Sequence, residues 1–400
     1  MNNIDILLVG FAIVQKTEYM VEYFKEHFKT FAFVRLVTPH FGKIVPTCSL
    51  YHNRMIIKKF RLFCFKGDQL NAIKRVLVNL AFGGSIIYVF LRLRKKCNLY
   101  LGTSWQSTLV GVSLKKIGLC RRVIYYSGDY FSRNVLGDKI FRFIDRINVK
   151  YADAIWVPSE RMIEVRKKNN VCPKKKIPQL VVPLGIERHL KSDRGNNHKN
   201  LIYMGVIEKN RGLDLILQAL PFVIKKIPDF KFHIIGIGNY KNELEKLVNS
   251  KKLNDYVIFY GVVLSPSFLK EIFSKCSVGI ALYAPNMGHY IQYTEPGKVK
   301  DYLSYGLPVI INSGPEIAEE IERLKAGLVI DFSKSAIQTA LLKLFTQRRL
   351  LQMYRRNADL MASGYLWNNI LNKAFKETFA RWQANSFKGG FYGHKLPKIS

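Results

Sequence analysis

Short apolar runs alternate with amphipathic stretches along this chain, and the alternation happens twice; nothing else in the sequence limits the fold as much. In the first half, Ile4–Val9, Phe31–Val37, Asn98–Gly102, Arg122–Tyr126, Ala154–Val157 and Leu180–Val182 read as strands. Helical spacing separates them over Thr17–Phe28, Trp105–Ile117 and 137–150. His189–Asn200 is polar and charged, with Gly195-Asn196-Asn197 at its centre, and reads as a linker. The pattern then restarts with strands at Leu201–Met204, Phe230–Ile235, Tyr256–Tyr260, Val278–Leu282, Val309–Ile311 and Leu328–Ile330. Helices at Leu213–Lys226, Lys241–Val248 and Phe268–Phe273 stand between these strands. Strand–helix alternation implies parallel sheets covered on both faces, so the chain reads as two successive doubly wound α/β domains. The expected boundaries are 1–190 and 200–360, followed by a helix over 361–384 with an aromatic face and a basic tail over 385–400. Residues 42–68 read as irregular and basic, and 166–176 as a solvated helix end and loop.

With 400 residues, each half is long enough to bury its own core. A hydrophobic fraction of 48% excludes a disordered chain. The formal net charge is +34, from 63 Lys and Arg against 29 Asp and Glu, which calls for an anionic partner: nucleic acid, acidic lipid or a phosphorylated substrate. The six cysteines are scattered without a C-x-x-C pair, so no zinc or redox motif is visible and unpaired thiols are expected. Asp5 interrupts the first apolar run and no basic segment precedes it, which does not read as a signal peptide. Val76–Leu91 is apolar between basic flanks but shorter than the ~18–20 residues of a membrane span. It reads first as a buried or inter-domain helix, second as a membrane-surface element, and last as a span.

The densest chemistry lies in residues 293–311, YTEPGKVKDYLSYGLPVII. Pro296-Gly297 open a helix, Gly306 sits at a left-handed cap position, and Pro308 precedes a buried strand. Lys298 in the first turn and Asp301 three residues on share a face. A lysine at a helix N-terminus suits a phosphate, and a carboxylate one turn later suits two adjacent sugar hydroxyls. The plainer reading is a solvent-facing salt bridge. Gly205 ends one strand, Arg211-Gly212 open the following helix, and Gly236-Ile237-Gly238 end another strand. Each signal alone fits ordinary turn chemistry, but all three fall on strand-to-helix edges of one expected sheet. Asp129 follows the strand ending at Tyr126, either as a site residue or as a turn cap.

These segments resemble the nucleotide-sugar-binding domain of the GT-B glycosyltransferases of family 4, the glycosyl transferases group 1. The matching stretches are YMGVIEKNRGLDLILQAL, FHIIGIGNYKNELEKL, VIFYGVV and TEPGKVKDYLSYGLPVI, in the family's order over about 150 residues. YADAIWVPSERM and LVVPLGIE resemble the acceptor domain more loosely. The resemblance implies two Rossmann-like domains facing a central cleft, with the C-terminal helix crossing back to the first. It further implies that Arg211 and Lys298 neutralise a donor diphosphate and that Asp301 binds the ribose. Gly205 and Gly236 would line the nucleotide crevice, with Gly261 and Val263 near the base. Catalytic roles fall to Glu295, the acidic residue nearest in sequence to the position of the family's first acid, which contacts the transferred sugar, and to Asp129, which would orient the acceptor or stabilise developing positive charge. The sequence departs from the family's Glu-x7-Glu spacing, since Tyr293 stands eight before Asp301 and Glu295 six before it. Ser127 and Asp129 stand where a histidine is usual, and the glycine-rich loop after the first strand is reduced to Gly10.

The expected activity is therefore sugar transfer from a nucleotide-diphosphate sugar to an acceptor hydroxyl of a glycan or lipid-linked saccharide. By resemblance it retains configuration and needs no metal and no cofactor beyond the donor. A sugar-nucleotide epimerase of the same fold and a basic nucleic-acid-binding protein are the alternatives, although no nucleic-acid module is recognised. Basic clusters in the first half suggest a cytoplasmic protein held peripherally on an anionic membrane surface.

Overall fold

The computed structural model describes residues 3–11, 17–37, 45–63, 72–128, 130–131, 135–189, 198–287, 290–293 and 295–387. It divides into two compact units, Met1–Pro183 with Trp367–Ser400, and Leu184–Leu366. Of the segment read as a linker, residues 190–197 lie outside the described residues.

Unit 1 runs β1 (Ile4–Phe11), α1 (Met20–His27), β2 (Thr30–Leu36), β3 (Thr47–His52), β4 (Met55–Arg61), α2 (Ala72–Leu93), β5 (Cys97–Gly102), α3 (Trp105–Lys116), β6 (Cys120–Tyr126), α4 (Leu136–Tyr151), β7 (Ala154–Val157), α5 (Glu160–Lys168) and β8 (Gln179–Val181). Its eight-stranded sheet has the order β4-β3-β2-β1-β5-β6-β7-β8. β1, β2 and β5–β8 run parallel, whereas β3 and β4 add an antiparallel hairpin at one edge.

That hairpin corrects the reading of 42–68 as irregular. Its two-residue turn, Asn53-Arg54, has positive φ at both positions (47° and 70°), the geometry that matches strand twist. Such turns are usually signalled by glycine, and here no glycine marks it. A second correction concerns Arg166, read as part of a solvated end. It is fully buried on α5 and pairs with the equally buried Asp145 of α4 at 2.5 and 3.1 Å. The Tyr125 hydroxyl donates to Asp145 at 2.7 Å, so the carboxylate is held from both sides.

Unit 2 runs β9 (Asn200–Met204), α6 (Leu213–Lys226), β10 (Lys231–Ile235), α7 (Lys241–Ser250), β11 (Val257–Gly261), α8 (Pro266–Ser274), β12 (Val278–Ala281), α9 (Tyr290–Tyr293), α10 (Gly297–Ser304), β13 (Val309–Asn312), α11 (Ile317–Arg323), β14 (Gly327–Ile330), α12 (Lys334–Thr346) and α13 (Arg348–Gly364). All six strands are parallel, in the order β11-β10-β9-β12-β13-β14. One face packs α6 residues such as Ile216 and Leu220 against Leu341 and Leu344 of α12. The other gathers Val299 and Leu303 of α10, Ile321 of α11 and Met361 of α13. Each fully buried aliphatic side chain of this kind contributes on the order of 1.5–3 kcal/mol.

The last helix, α14 (Trp367–Phe387), returns to unit 1. Its aromatic face explains why. Phe375 packs on Tyr23 and Trp156, the Trp156 indole donates to Thr378, and the Trp382 indole donates to the Asp153 carbonyl. No helix among the described residues is long and apolar enough to cross a membrane.

Candidate functional site

The strand order of unit 2 reverses direction between β9 and β12. At such a switch point the connections leave in opposite directions, and a crevice opens beyond the carboxyl ends of the strands. The polypeptide keeps this crevice free of side chains on one flank. Gly205, Gly236 and Gly261 follow or end β9, β10 and β11, three adjacent strands. Gly236 N–H donates to the Gly261 carbonyl at 2.8 Å, and Gly205 N–H to Ile235 at 2.9 Å. Gly236 has φ +139°, and a Cβ there would lie 1.9 Å from the Gly205 carbonyl oxygen, so no other residue fits. Val263 is half-buried just past β11.

The opposite flank is built by α10. Tyr302 lies over Gly279 of β12, where a Cβ would stand 2.4 Å from the ring. Its hydroxyl accepts from Met204 N–H at 2.8 Å and donates to the Ile280 carbonyl at 3.1 Å. It thereby bridges β9 and β12 where they part. Gly306, with φ +69°, ends the helix as its position in the sequence implies.

This anchoring places Lys298 beside the glycine edge. A Cβ on Gly205 would stand 2.9 Å from Lys298 Nζ, so the missing side chain makes room for the ammonium. Lys298 Nζ donates to the Tyr203 hydroxyl at 3.1 Å, which itself donates to the Val206 carbonyl. It lies 4.3 Å from the Tyr203 ring centre and 5.7 Å from that of Tyr283. Burial of the ammonium, with Arg211 nearby, pushes its pKa down to about 7; Glu208 opposes the shift.

Arg211 comes from the other side of the switch point. It closes a turn at Lys209–Arg211, and Gly212, at φ +65°, sends the chain into α6. Its guanidinium lies 5.7 Å from the same Tyr283 ring. One terminal nitrogen faces Glu208 Oε2 at 3.2 Å, while Nε is buried without a hydrogen-bond partner among the described residues. A buried donor left open is costly unless a ligand completes it. Tyr283 is fixed in turn by Asn312 at the end of β13. The Asn312 amide accepts from Tyr283 N–H at 2.8 Å and donates to its carbonyl at 2.9 Å. Two cations thus face one clamped ring above a glycine-lined edge.

The other sequence candidates fall elsewhere. Asp301 is half-buried on α10, three residues from Lys298. Glu295 is not open to a sugar. Its Oε1 pairs with the fully buried Lys300 at 2.8 Å, and its Oε2 accepts from Leu184 N–H. Lys300 also lies against the Tyr365 ring. Burial pushes the Glu295 carboxyl up, and Lys300 opposes that shift. The arrangement pins the Leu184 backbone to the start of α10 and engages both oxygens of the carboxylate that the sequence reading sets beside the transferred sugar. Asp129 lies outside the described residues. Sequence reasoning missed Tyr203, Tyr283 and Asn312. For Tyr283 the available signal was an aromatic two residues past a strand end in the sheet that carries the glycines.

Residues 198–347 match the family described as glycosyl transferases group 1. Over 195 residues the chain is 24% identical to a chitobiosyldiphosphodolichol beta-mannosyltransferase of Debaryomyces hansenii, covering 48% of this chain and 39% of that protein. The matches to curated relatives span between 39% and 54% of those proteins' lengths. Among solved structures, a sucrose-phosphate synthase of Thermosynechococcus elongatus superposes with a TM-score of 0.70 at 13% identity, covering 94% of this chain and all of that one. An Anabaena protein, HepE, in complex with UDP superposes with a TM-score of 0.65 at 12% identity and the same coverage. The fold is GT-B, with a Rossmann-like α/β sheet in each unit.

Proposed function

From a chain whose second unit belongs to the group 1 glycosyltransferases, we infer an enzyme that transfers a sugar from a nucleoside-diphosphate sugar to an acceptor hydroxyl. The observation that carries this reading is the pair Arg211 and Lys298, both set against Tyr283 at the switch point of a glycine-edged sheet. A diphosphate laid along Gly205 and Gly236 would meet the open Arg211 Nε and the Lys298 ammonium, which uses one of its three N–H groups on Tyr203. Asp301 would hold the ribose hydroxyls, and Gly261 with Val263 would lie toward the base.

In the reaction, the bond from the anomeric carbon to the diphosphate breaks while a bond to the acceptor oxygen forms on the same face. The acceptor proton passes to the departing diphosphate oxygen, so configuration is retained. Fixed cations stabilise the charge that develops on the leaving group, and this role needs no metal. The engagement of both Glu295 oxygens supports a route in which the leaving group itself serves as base. The Debaryomyces relative is named for mannosyl transfer to chitobiosyldiphosphodolichol, which favours a lipid-linked saccharide over a free glycan as acceptor. The proposed setting is the cytoplasmic face of an anionic membrane, with the protein bound peripherally.

A panel of nucleoside-diphosphate sugars screened for thermal stabilisation tests the donor, because a ligand that binds the folded state raises its stability by mass action. One donor should raise Tm, and the same donor carrying a labelled sugar should label a lipid-extractable product with unchanged anomeric configuration. Stabilisation with the label remaining on the nucleotide as an isomeric sugar would point to epimerisation. No stabilisation by any donor would overturn the assignment.

A further inference from the structure

We propose that the edge strand β4 and the outer stripe of α2 form one face that docks on an anionic lipid bilayer. This deepens the membrane-surface reading above and uses no residue of the donor site.

β4 is the last strand of the unit 1 sheet. Successive residues of a strand point to opposite faces, and one face of an edge strand is normally buried. Here Met55, Ile56 and Ile57 are all exposed, Met55 by 71%, and Lys58 and Lys59 after them are exposed too. On α2, Leu77, Leu80, Ile87 and Leu91 share one stripe, opposite the buried Phe82 and Ile86, and all four are exposed, Leu91 by 70%. The two elements are continuous. Tyr88 of α2 packs on Phe60 of β4 and on the exposed Phe63, and Lys58 Nζ donates to the Arg92 carbonyl at 3.0 Å. An apolar face of this extent on a charged protein marks an interaction surface.

Its rim names the partner. Lys58, Lys59 and Arg61 lie on β4, exposed Arg92 lies in the last turn of α2, and exposed Arg94 and Lys96 follow it. From His27 through Gly128 the sequence carries eighteen Lys and Arg and a single carboxylate, Asp68. A second copy of so basic a face would be repelled, and the lysines within β4 discourage edge-to-edge strand pairing. A nucleic acid would satisfy the charges but gives exposed Met, Ile and Leu side chains nothing to bury against. A bilayer with anionic headgroups satisfies both, because aliphatic side chains enter the acyl boundary while lysine and arginine stay at headgroup level.

Co-sedimentation of the full chain with phosphatidylcholine vesicles, with and without phosphatidylglycerol, tests the proposal. The wild type should bind the phosphatidylglycerol vesicles alone. Lys58→Ser/Lys59→Ser/Arg61→Ser should lower that affinity on the order of a hundredfold, at roughly one decade or somewhat less per charge. Ile56→Ser/Ile57→Ser should lower it about tenfold or more. Lys174→Ser/Lys175→Ser/Lys176→Ser, which removes the same charge from elsewhere in unit 1, should bind as the wild type does. Thermal stabilisation by donor should survive in every variant, which separates failure of this inference from failure of the donor site. Equal binding by the β4 variants and the wild type would overturn it, as would wild-type binding to neither vesicle. RNA binding that displaces the vesicles and depends on Lys58 and Lys59 would assign the face to a polyanion instead. A concentration-dependent dimer abolished by Ile56→Ser/Ile57→Ser would assign it to a second copy.

Discussion

The two sheets each have a switch point, and they are finished differently. In unit 2 the reversal lies between β9 and β12, the ends of β9, β10 and β11 on one side of it carry glycines, and Arg211 and Lys298 face the Tyr283 ring there. In unit 1 the reversal lies between β1 and β5, where Gly10 is also small, but its space is filled by the protein itself. A Cβ on Gly10 would stand 2.3 Å from Thr17 and 2.7 Å from Thr103, and Thr103 donates to the Val9 carbonyl through both its N–H and its hydroxyl. The buried charges differ as well. In unit 1 Arg166 is neutralised by the equally buried Asp145, although its Nη1 also lacks a hydrogen-bond partner among the described residues, whereas in unit 2 Arg211 Nε lacks one and a second cation, Lys298, lies nearby. A shared architecture thus ends in one case as a packed edge and in the other as a glycine-lined edge faced by two cations. The two cations, rather than the fold, carry the proposed ligand site.

The largest effect should come from breaking the self-contained side of the comparison. Asp145→Ala leaves a fully buried arginine unpaired and should cost about 3–5 kcal/mol of stability in denaturant unfolding, while donor-induced stabilisation of unit 2 persists. Loss of donor binding in the folded variant would erase the division of roles.

Next in size is Gly236→Ala. The positive φ alone costs about 1–3 kcal/mol, and the new methyl group meets backbone rather than a movable side chain. It should lower both Tm and donor affinity more than Gly10→Ala, whose contacts are threonine side-chain atoms. Equal effects would mean that the two edges are not built differently.

The third test is pH. A lysine that loses its proton near pH 7 when folded and near 10.5 when unfolded binds fewer protons in the folded state between those values. Over that window this group makes stability rise with pH. Diphosphate affinity should move the opposite way, since an anion favours the protonated lysine. It should weaken by up to about tenfold per pH unit above 7, and Lys298→Arg, which stays charged, should flatten the profile. A profile unchanged by Lys298→Arg would remove Lys298 from the phosphate site.

The smallest effect concerns the ring between the cations. Tyr283→Leu should weaken nucleoside-diphosphate binding by about 0.5–2 kcal/mol in calorimetry, and Tyr283→Phe should restore most of it. Equal loss in both variants would assign the residue to packing alone.

The same contrast explains what the sequence made legible. The places of Gly205, Arg211, Gly236 and Lys298 at strand ends and helix starts could be read because each obeys local rules: a glycine after a strand, or a cation at the start of a helix. Strand–helix alternation likewise revealed both sheets and the aromatic return helix. The missed features depend on residues that meet only after folding. Tyr283 and Asn312 come together because β12 and β13 are neighbours. Glu295 is taken up by Leu184, more than a hundred residues away. Arg166 sits in a basic stretch and looks solvated until α4 brings Asp145 to it. The β3–β4 hairpin escaped notice because Asn53-Arg54 takes a conformation usually announced by glycine.

The most direct test of the central claim, that the unit 2 edge holds a nucleoside diphosphate between Arg211 and Lys298, is calorimetric titration of UDP and GDP into the wild type, Arg211→Ala and Lys298→Ala. The wild type should bind at least one of them, and each substitution should weaken that binding by about 1.5–3 kcal/mol, the range for a charge-assisted hydrogen bond, with the fold intact. Wild-type binding that both variants retain unchanged would contradict the account.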